Sequence, residues 1–108
     1  MTGTLTICAT CAARGADPEG AALAAAVGEV EGWTVRMHDC LSMCEGPVAM
    51  AVQAQAKATY LFSGVQVADA ADVRAFLALY DAQGDGWITD ARPAGRLRFC
   101  LKGRAPFI

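Results

Sequence analysis

The chain has 108 residues, of which 55% are hydrophobic and 19% are charged, and its formal net charge is −2 at pH 7. This length predicts one globular domain, and the composition excludes a disordered chain. No stretch approaches the roughly 20 apolar residues that cross a bilayer, and the start of the chain does not resemble a signal peptide. We therefore expect a cytoplasmic protein without a membrane partner.

The charges are distributed unevenly along the chain. Residues 1–90 hold eleven acidic and four basic side chains, whereas residues 91–108 hold five basic and no acidic ones. We interpret residues 1–90 as the functional domain and residues 91–108 as a basic tail that packs on it or extends from it. The tail has little aromatic content, so we expect no nucleic-acid partner. It would either fold over the acidic body or dock on an acidic partner.

Two parallel strands are predicted in the first part of the chain. Residues 4–7 alternate polar and apolar side chains, as strands do, and lead into Cys8. Residues 33–37 alternate in the same way and lead into Cys40. A helix between two such strands makes a βαβ unit, in which both strands end at the same edge of a sheet.

The helix of this unit has recognisable end signals. Asp17 is the predicted N-cap, Pro18 the first helical residue and Gly32 the end. The predicted inner face consists of apolar residues at helical spacing: Leu23, Ala26, Val27 and Val30.

The following segments predict two strands and a second helix. Residues 48–52 and 58–62 are the strands, joined by a hairpin, and Asp69 caps a helix that Gly84 closes, leaving an irregular tail. The inner face of this helix is predicted to consist of Val73, Phe76, Leu77 and Tyr80. The order βαβ followed by ββα predicts an α/β, thioredoxin-like fold, with a four-stranded mixed sheet and helices packed on it.

Two close cysteine pairs follow the first two strands. Cys8 and Cys11 are spaced C-x2-C, and Cys40 and Cys44 are spaced C-x3-C. Such pairs in a cytoplasmic protein indicate metal or redox chemistry more often than disulfides. For Cys100, the fifth cysteine, we predict a half-buried apolar side chain, with a fifth ligand or a regulatory thiol as alternatives.

Several kinds of site fit four converging thiolates. A 2Fe–2S cluster takes two cysteines on each iron, which two adjacent pairs supply. A structural zinc ion also uses two short-spaced pairs. A thioredoxin-type dithiol would use Cys8 and Cys11 and leave the second pair unexplained. The plainest alternative is that the cysteines are simply buried apolar side chains. His38, two residues before Cys40, is predicted as a surface histidine and not as a ligand.

The cysteine pairs and the segment CLSMCEGP from Cys40 to Pro47 resemble those of thioredoxin-like 2Fe–2S ferredoxins. Nearly the full chain, including residues 59–62, resembles a small bacterial family of predicted metal-binding proteins of that kind. The resemblance implies that Cys8, Cys11, Cys40 and Cys44 hold one cluster per subunit of a homodimer.

The resemblance also implies a function. It predicts a one-electron carrier, not an enzyme, that passes electrons to a redox partner protein such as a reductase or other oxidoreductase. Relatives are often linked to cobalamin biosynthesis, which predicts a partner in that pathway. A zinc-stabilised binding module and a dithiol oxidoreductase remain the alternatives.

Overall fold

The structure is a computed structural model that describes residues 3–9, 19–38 and 48–106. These residues form two α-helices, α1 (Gly20–Val27) and α2 (Ala70–Ala82). Short 3-10 turns precede α2 at Val67–Asp69 and follow it at Arg92–Phe99, the latter kinked at Gly95. The strands are β1 (Gly3–Cys8), β2 (Trp33–His38), β3 (Met50–Ala54), β4 (Thr59–Phe62) and β5 (Leu101–Ala105).

The strands form one mixed sheet in the order β2-β1-β3-β4-β5. β1 and β2 are parallel, with Cys8 opposite His38, and the other neighbouring strands are antiparallel. The predicted parallel pair around α1 and the ββα order that follows are both confirmed. The chain has a thioredoxin-like α/β fold.

The core lies between one face of the sheet and the two helices. Alternate strand residues such as Leu5, Ile7 and Phe62 share one apolar cluster with Leu23 of α1 and with α2. The predicted inner face of α2 is confirmed, because Val73, Phe76, Leu77 and Tyr80 are all buried in that cluster. Thr6, whose neighbours Leu5 and Ile7 point into the core, faces the opposite side, since side chains alternate along a strand.

Helix α1 is shorter than predicted. It ends at Val27, and the backbone N–H of Gly28 donates to the carbonyl of Ala24. Gly28 has φ of 70°, which a glycine adopts without a steric penalty, so the helix stops at the first available glycine and not at Gly32. Leu23 and Val27 are buried as predicted, but Ala26 is exposed and Val30 lies beyond the helix. The predicted start at Asp17 and Pro18 falls outside the described residues.

The boundaries of α2 differ slightly from those predicted. The helix ends at Ala82, before Gly84. Asp69 stands at the N-cap position, but its carboxylate accepts a hydrogen bond from the backbone N–H of Gln66 at 2.8 Å and so caps the preceding 3-10 turn. The predicted hairpin between β3 and β4 is confirmed.

The sheet has a fifth strand that the sequence did not predict, so the prediction of four strands was wrong. β5 comes from the tail, which is not irregular, and it pairs antiparallel with β4 at the edge of the sheet. Its sequence Leu-Lys-Gly-Arg-Ala alternates small or apolar residues with charged ones but has no β-branched or aromatic residue, so its strand signal is weak. Its charged residues are typical of edge strands, where they oppose pairing with other chains. None of the helices that the structure describes is both long and apolar enough to cross a membrane.

Candidate metal centre

Cys8 lies at the end of the central strand β1 and its side chain is fully buried. Its backbone N–H donates to the carbonyl of Ala49 at 2.9 Å, which joins it to the chain just before β3. On the other side, the N–H of Ala9 donates to the carbonyl of His38 at 2.7 Å, which joins it to the end of β2. Cys8 is therefore held from both sides where β1 ends.

We call the end of the sheet at which β1 and β2 finish the cysteine edge. Both cysteine-containing segments begin there, and the chain returns there after each of them. The first, residues 10–18, leaves after Ala9 and returns at the start of α1. The second, residues 39–47, leaves after His38 and returns at Val48, which is buried. Because Cys8 contacts Ala49 and is paired with His38, three of these four chain ends are joined by backbone pairing.

Gly20 brings the fourth chain end to Cys8. A Cβ atom at Gly20 would lie 2.1 Å from the carbonyl oxygen of Cys8 and 3.0 Å from Cε of Met37. Such a distance to a backbone atom is impossible, so only glycine allows α1 to begin this close to the end of β1. Sequence reasoning missed Gly20, because no sequence pattern distinguishes a glycine that a close contact requires from one that another residue could replace.

A cation lies on the same face of the sheet as Cys8. The guanidinium Nε of Arg36 donates to the hydroxyl of Thr6 at 3.0 Å, and Thr6 precedes Cys8 by two residues. Arg36 and His38 are exposed, so the prediction of His38 as a surface residue is confirmed. The strand register places Arg36 opposite Thr6 and His38 opposite Cys8, and paired residues point to the same side of a sheet.

The other three predicted ligands, Cys11, Cys40 and Cys44, lie outside the described residues, and the four-cysteine site stays a prediction. Within residues 3–9, 19–38 and 48–106, no three His, Cys, Asp or Glu side chains are grouped so that they could hold a metal ion.

Cys100 is more deeply buried than the predicted half-buried state. Its Sγ lies 3.2 Å from Nη1 of Arg96, which donates to it, and 3.7 Å from the carbonyl oxygen of Gly64. Burial raises the pKa of the Cys100 thiol, although the neighbouring Arg96 cation opposes this. A buried thiol with a raised pKa is a poor nucleophile and a poor metal ligand.

A surface groove lies at the opposite end of β2 from the cysteine edge. It is bordered by acidic and apolar residues: Gly28, Glu29, Val30, Glu31, Trp33 and Val35. Trp33 pairs with Gly3 at the start of β1, whereas His38 pairs with Cys8 at its end. The groove is therefore separate from the candidate metal centre.

Comparison with known proteins assigns the chain to a family. No curated protein and no solved structure matches it. A family model matches residues 5–107, which include both cysteine pairs and β5. The chain belongs to the family described as Protein of unknown function (DUF1636).

Proposed function

We propose that the protein is a one-electron carrier that holds a 2Fe–2S cluster on Cys8, Cys11, Cys40 and Cys44. The observation that carries this proposal is the parallel pairing of Cys8 with His38. Because of this pairing, both cysteine-containing segments begin at adjacent strand ends, at the cysteine edge of the sheet.

Covalent geometry limits how far the cysteines can lie from these strand ends. Cys11 follows Ala9 by two residues, Cys40 follows His38 by two, and two residues of chain span at most about 7 Å. The backbone of Ala9 is hydrogen-bonded to that of His38. Covalent geometry therefore keeps Cys11 and Cys40 within about 7 Å of this bonded pair of residues, which lies next to Cys8. The limit on Cys44 is looser, since it precedes Val48, the first residue of the next described segment, by four positions.

The donor set fits the cluster chemically. Four thiolates are the usual ligands of a 2Fe–2S cluster, which when bound takes up and releases one electron. The buried side chain of Cys8 would supply one ligand shielded from water. Arg36, on the same face, would place a positive charge near the site and favour the reduced, more negative state.

The dithiol alternative is less well supported. A thioredoxin-type nucleophile needs an accessible sulfur, typically at a helix N-terminus that lowers its pKa. Cys8 is fully buried at a strand end, and the described helix α1 begins twelve residues later, at Gly20. A structural zinc ion would use the same four thiolates, so a metal assay has to distinguish it from a cluster.

The decisive experiment is a visible spectrum of the protein purified without air, with iron, sulfide and zinc measured on the same sample. We expect a red-brown protein with two irons and two sulfides per chain that bleaches with dithionite. A colourless protein with one zinc per chain would instead make the fold a zinc-stabilised module and would refute electron transfer.

Serine variants test the ligand assignment. Cys8→Ser, Cys40→Ser and Cys44→Ser are each expected to lose most of the iron. Cys100→Ser is the matched control, because this buried sulfur is hydrogen-bonded to Arg96 and to the carbonyl of Gly64 and is not among the proposed ligands. Full iron content in Cys40→Ser, or loss of iron in Cys100→Ser, would contradict the assignment.

The partner and the assembly follow from the same proposal. The electrons would pass to a redox enzyme, and the resemblance makes an oxidoreductase of cobalamin biosynthesis the first one to test. A homodimer with one cluster per subunit is expected, and sedimentation of the loaded protein would measure it.

A further inference from the structure

The most exposed large apolar side chain among the described residues is that of Phe99. It is 74% exposed, compared with 39% for Met37 and 37% for Leu61. The guanidinium of Arg98 stacks on its ring, with Cζ 4.6 Å from the ring centroid. We call these two residues the Arg98–Phe99 patch. Aromatic and arginine side chains are enriched where proteins bind one another, and they contribute much of the binding energy there.

Three other arginines of the tail are engaged within the chain. Arg92 pairs with Asp90 at 2.8 Å and Arg96 pairs with Asp69 at 2.6 Å. Arg104 stacks over the ring of Trp87 at 3.8 Å and donates to a backbone carbonyl. No ion pair between described residues involves Arg98. The tail therefore folds over the body and leaves Arg98 exposed at the surface, where its charge is attracted to Asp90 without forming an ion pair with it.

The Arg98–Phe99 patch lies at the cysteine edge of the sheet. The residue after it, Cys100, accepts a hydrogen bond from the backbone N–H of Ser63 at 2.9 Å, just beyond the end of β4. The row of paired residues that runs across the sheet at this edge is Met37, Ile7, Met50, Phe62 and Leu101. Three strand spacings separate β1 from β5, which is about 14 Å.

We propose that the Arg98–Phe99 patch is the docking surface for an acidic redox partner protein. The ring of Phe99 would enter an apolar recess of the partner, and Arg98 would pair with a carboxylate beside that recess. This inference rests on the proposed electron-carrier function. To that function the inference adds where the partner protein binds, a few strand spacings from the cysteine-containing segments, and that the partner is negatively charged.

The charge distribution of the chain supports an acidic partner. Residues 1–90 hold eleven acidic and four basic side chains, whereas residues 91–108 hold five basic ones and no acidic one, so the tail is the part of the chain that attracts an acidic partner. Lys102, two residues beyond Cys100, is also exposed and adds positive charge there. Such local attraction orients the encounter and raises the association rate at low ionic strength.

The test uses ferric cytochrome b5, an acidic haem protein, as the electron acceptor. One electron would pass from the dithionite-reduced cluster to the haem iron, so the cluster is oxidised and the ferric haem becomes ferrous. We expect the second-order rate constant to fall as salt is added. Arg98→Gln is expected to lower this constant by about threefold or more at low salt, and Phe99→Ala to lower it at every salt concentration.

Arg74→Gln is the matched control for loss of one positive charge. Arg74 is exposed on α2 and donates to the carbonyl of Ala26 at the end of α1 that is remote from the cysteine edge. This variant should leave the rate constant unchanged. Equal rates for wild type, Arg98→Gln and Phe99→Ala, in proteins that all hold a full cluster, would overturn the docking surface and leave the electron-carrier function intact.

A binding titration tests the patch without any electron transfer. Cytochrome b5 added to the isotopically labelled protein should shift the backbone amide signals of residues 97–102, and Arg98→Gln should abolish these shifts. If the protein holds no cluster, the proposed function fails, and this titration alone decides the docking surface. Absence of the shifts, or binding of a single-stranded oligonucleotide in place of the acidic protein, would overturn it.

Discussion

Gly20 controls how closely α1 approaches the end of β1. An alanine there would place its Cβ 2.1 Å from the backbone carbonyl oxygen of Cys8, and a backbone atom cannot move aside cheaply. We predict that Gly20→Ala lowers the free energy of unfolding by about 1–3 kcal/mol. It should also reduce the iron content, because the shift displaces Cys8. Urea unfolding and an iron assay measure the two effects.

Gly84→Ala is the control for this substitution. No atom lies within 4 Å of the position that its Cβ would take, and Gly84 does not have a positive φ. Its unfolding midpoint should be equal to that of wild type or slightly higher. If Gly20→Ala were as stable as Gly84→Ala, the close contact between α1 and Cys8 would be refuted.

Tyr80 contributes a buried hydroxyl that donates to the carbonyl of Ala58 at 2.6 Å. Burial disfavours the phenolate and raises the pKa of Tyr80 from 10.0 to about 12. The unfolded state therefore loses its proton first as the pH rises. The contribution of this pKa difference to the stability of the folded state is complete below pH 10 and is lost as the pH approaches 12.

The prediction is that Tyr80→Phe costs about 1–2 kcal/mol at pH 8, because the carbonyl of Ala58 loses its donor. The difference in the free energy of unfolding between the variant and wild type should narrow between pH 10 and 12, because this ionisation destabilises only the wild-type protein there. Urea midpoints measured from pH 8 to 11.5 test this. A constant difference over that range would show that Tyr80 does not titrate as described.

At the scale of elements, Arg96 fastens the turn before β5 to the start of α2. Its Nη1 donates to Oδ2 of Asp69 at 2.6 Å and to Sγ of Cys100 at 3.2 Å, and its backbone N–H donates to Asp72. The Asp69 side chain is only 7% exposed. Removing the cation therefore leaves a carboxylate buried without its counter-charge, which is costly.

We predict that Arg96→Met lowers the free energy of unfolding by about 1–2 kcal/mol, since the partial exposure of Arg96 weakens the pair. Amide exchange should become faster in residues 97–104 and in the first turn of α2 together. Arg92→Met is the control, because Arg92 and Asp90 are both exposed and should contribute little. Faster exchange in β5 alone would mean that Arg96 does not join the two elements.

At the scale of the whole molecule, the tail completes the core. Ala94 and Leu97 are fully buried in the same apolar cluster as α2, and β5 supplies the edge partner of β4. We predict that Leu97→Ala costs about 2–5 kcal/mol. A chain that ends at residue 90 should not unfold cooperatively in urea, and a peptide of residues 91–108 added in trans should restore the transition. An unchanged midpoint for the shortened chain would contradict this.

Loss of the proposed cluster should destabilise the entire domain. The proposed ligands come from β1 and from the two segments that flank it, so the binding energy of the metal site would also be folding energy. We predict that chelation of the iron lowers the melting temperature, and that Cys44→Ser has the same low value before and after chelation. Equal melting temperatures for the loaded and stripped protein would argue against a site that bridges these segments.

Sequence reasoning succeeded where local pattern and burial agree. The alternation in β1 and β2 and the helical spacing of Val73, Phe76 and Tyr80 were read correctly, because each of these elements has one face in the core. The order of elements then limited the topology, since parallel strands need a crossover between them. The proposed ligand set came from the cysteine spacing together with the family resemblance, and it stays a prediction.

The tertiary structure decided features that have no local pattern. β5 is an edge strand with charged side chains, so only its pairing with β4 defines it. The role of Gly20 depends on a carbonyl twelve residues earlier in the chain, and the carboxylate partners of Arg96 lie more than twenty residues away. The sequence by itself determined β1 to β4, the two helices and the cysteine pairs, because propensity and periodicity are local. Only the tertiary structure decided which strand ends share an edge and which charges stay exposed, because those depend on contacts between distant residues.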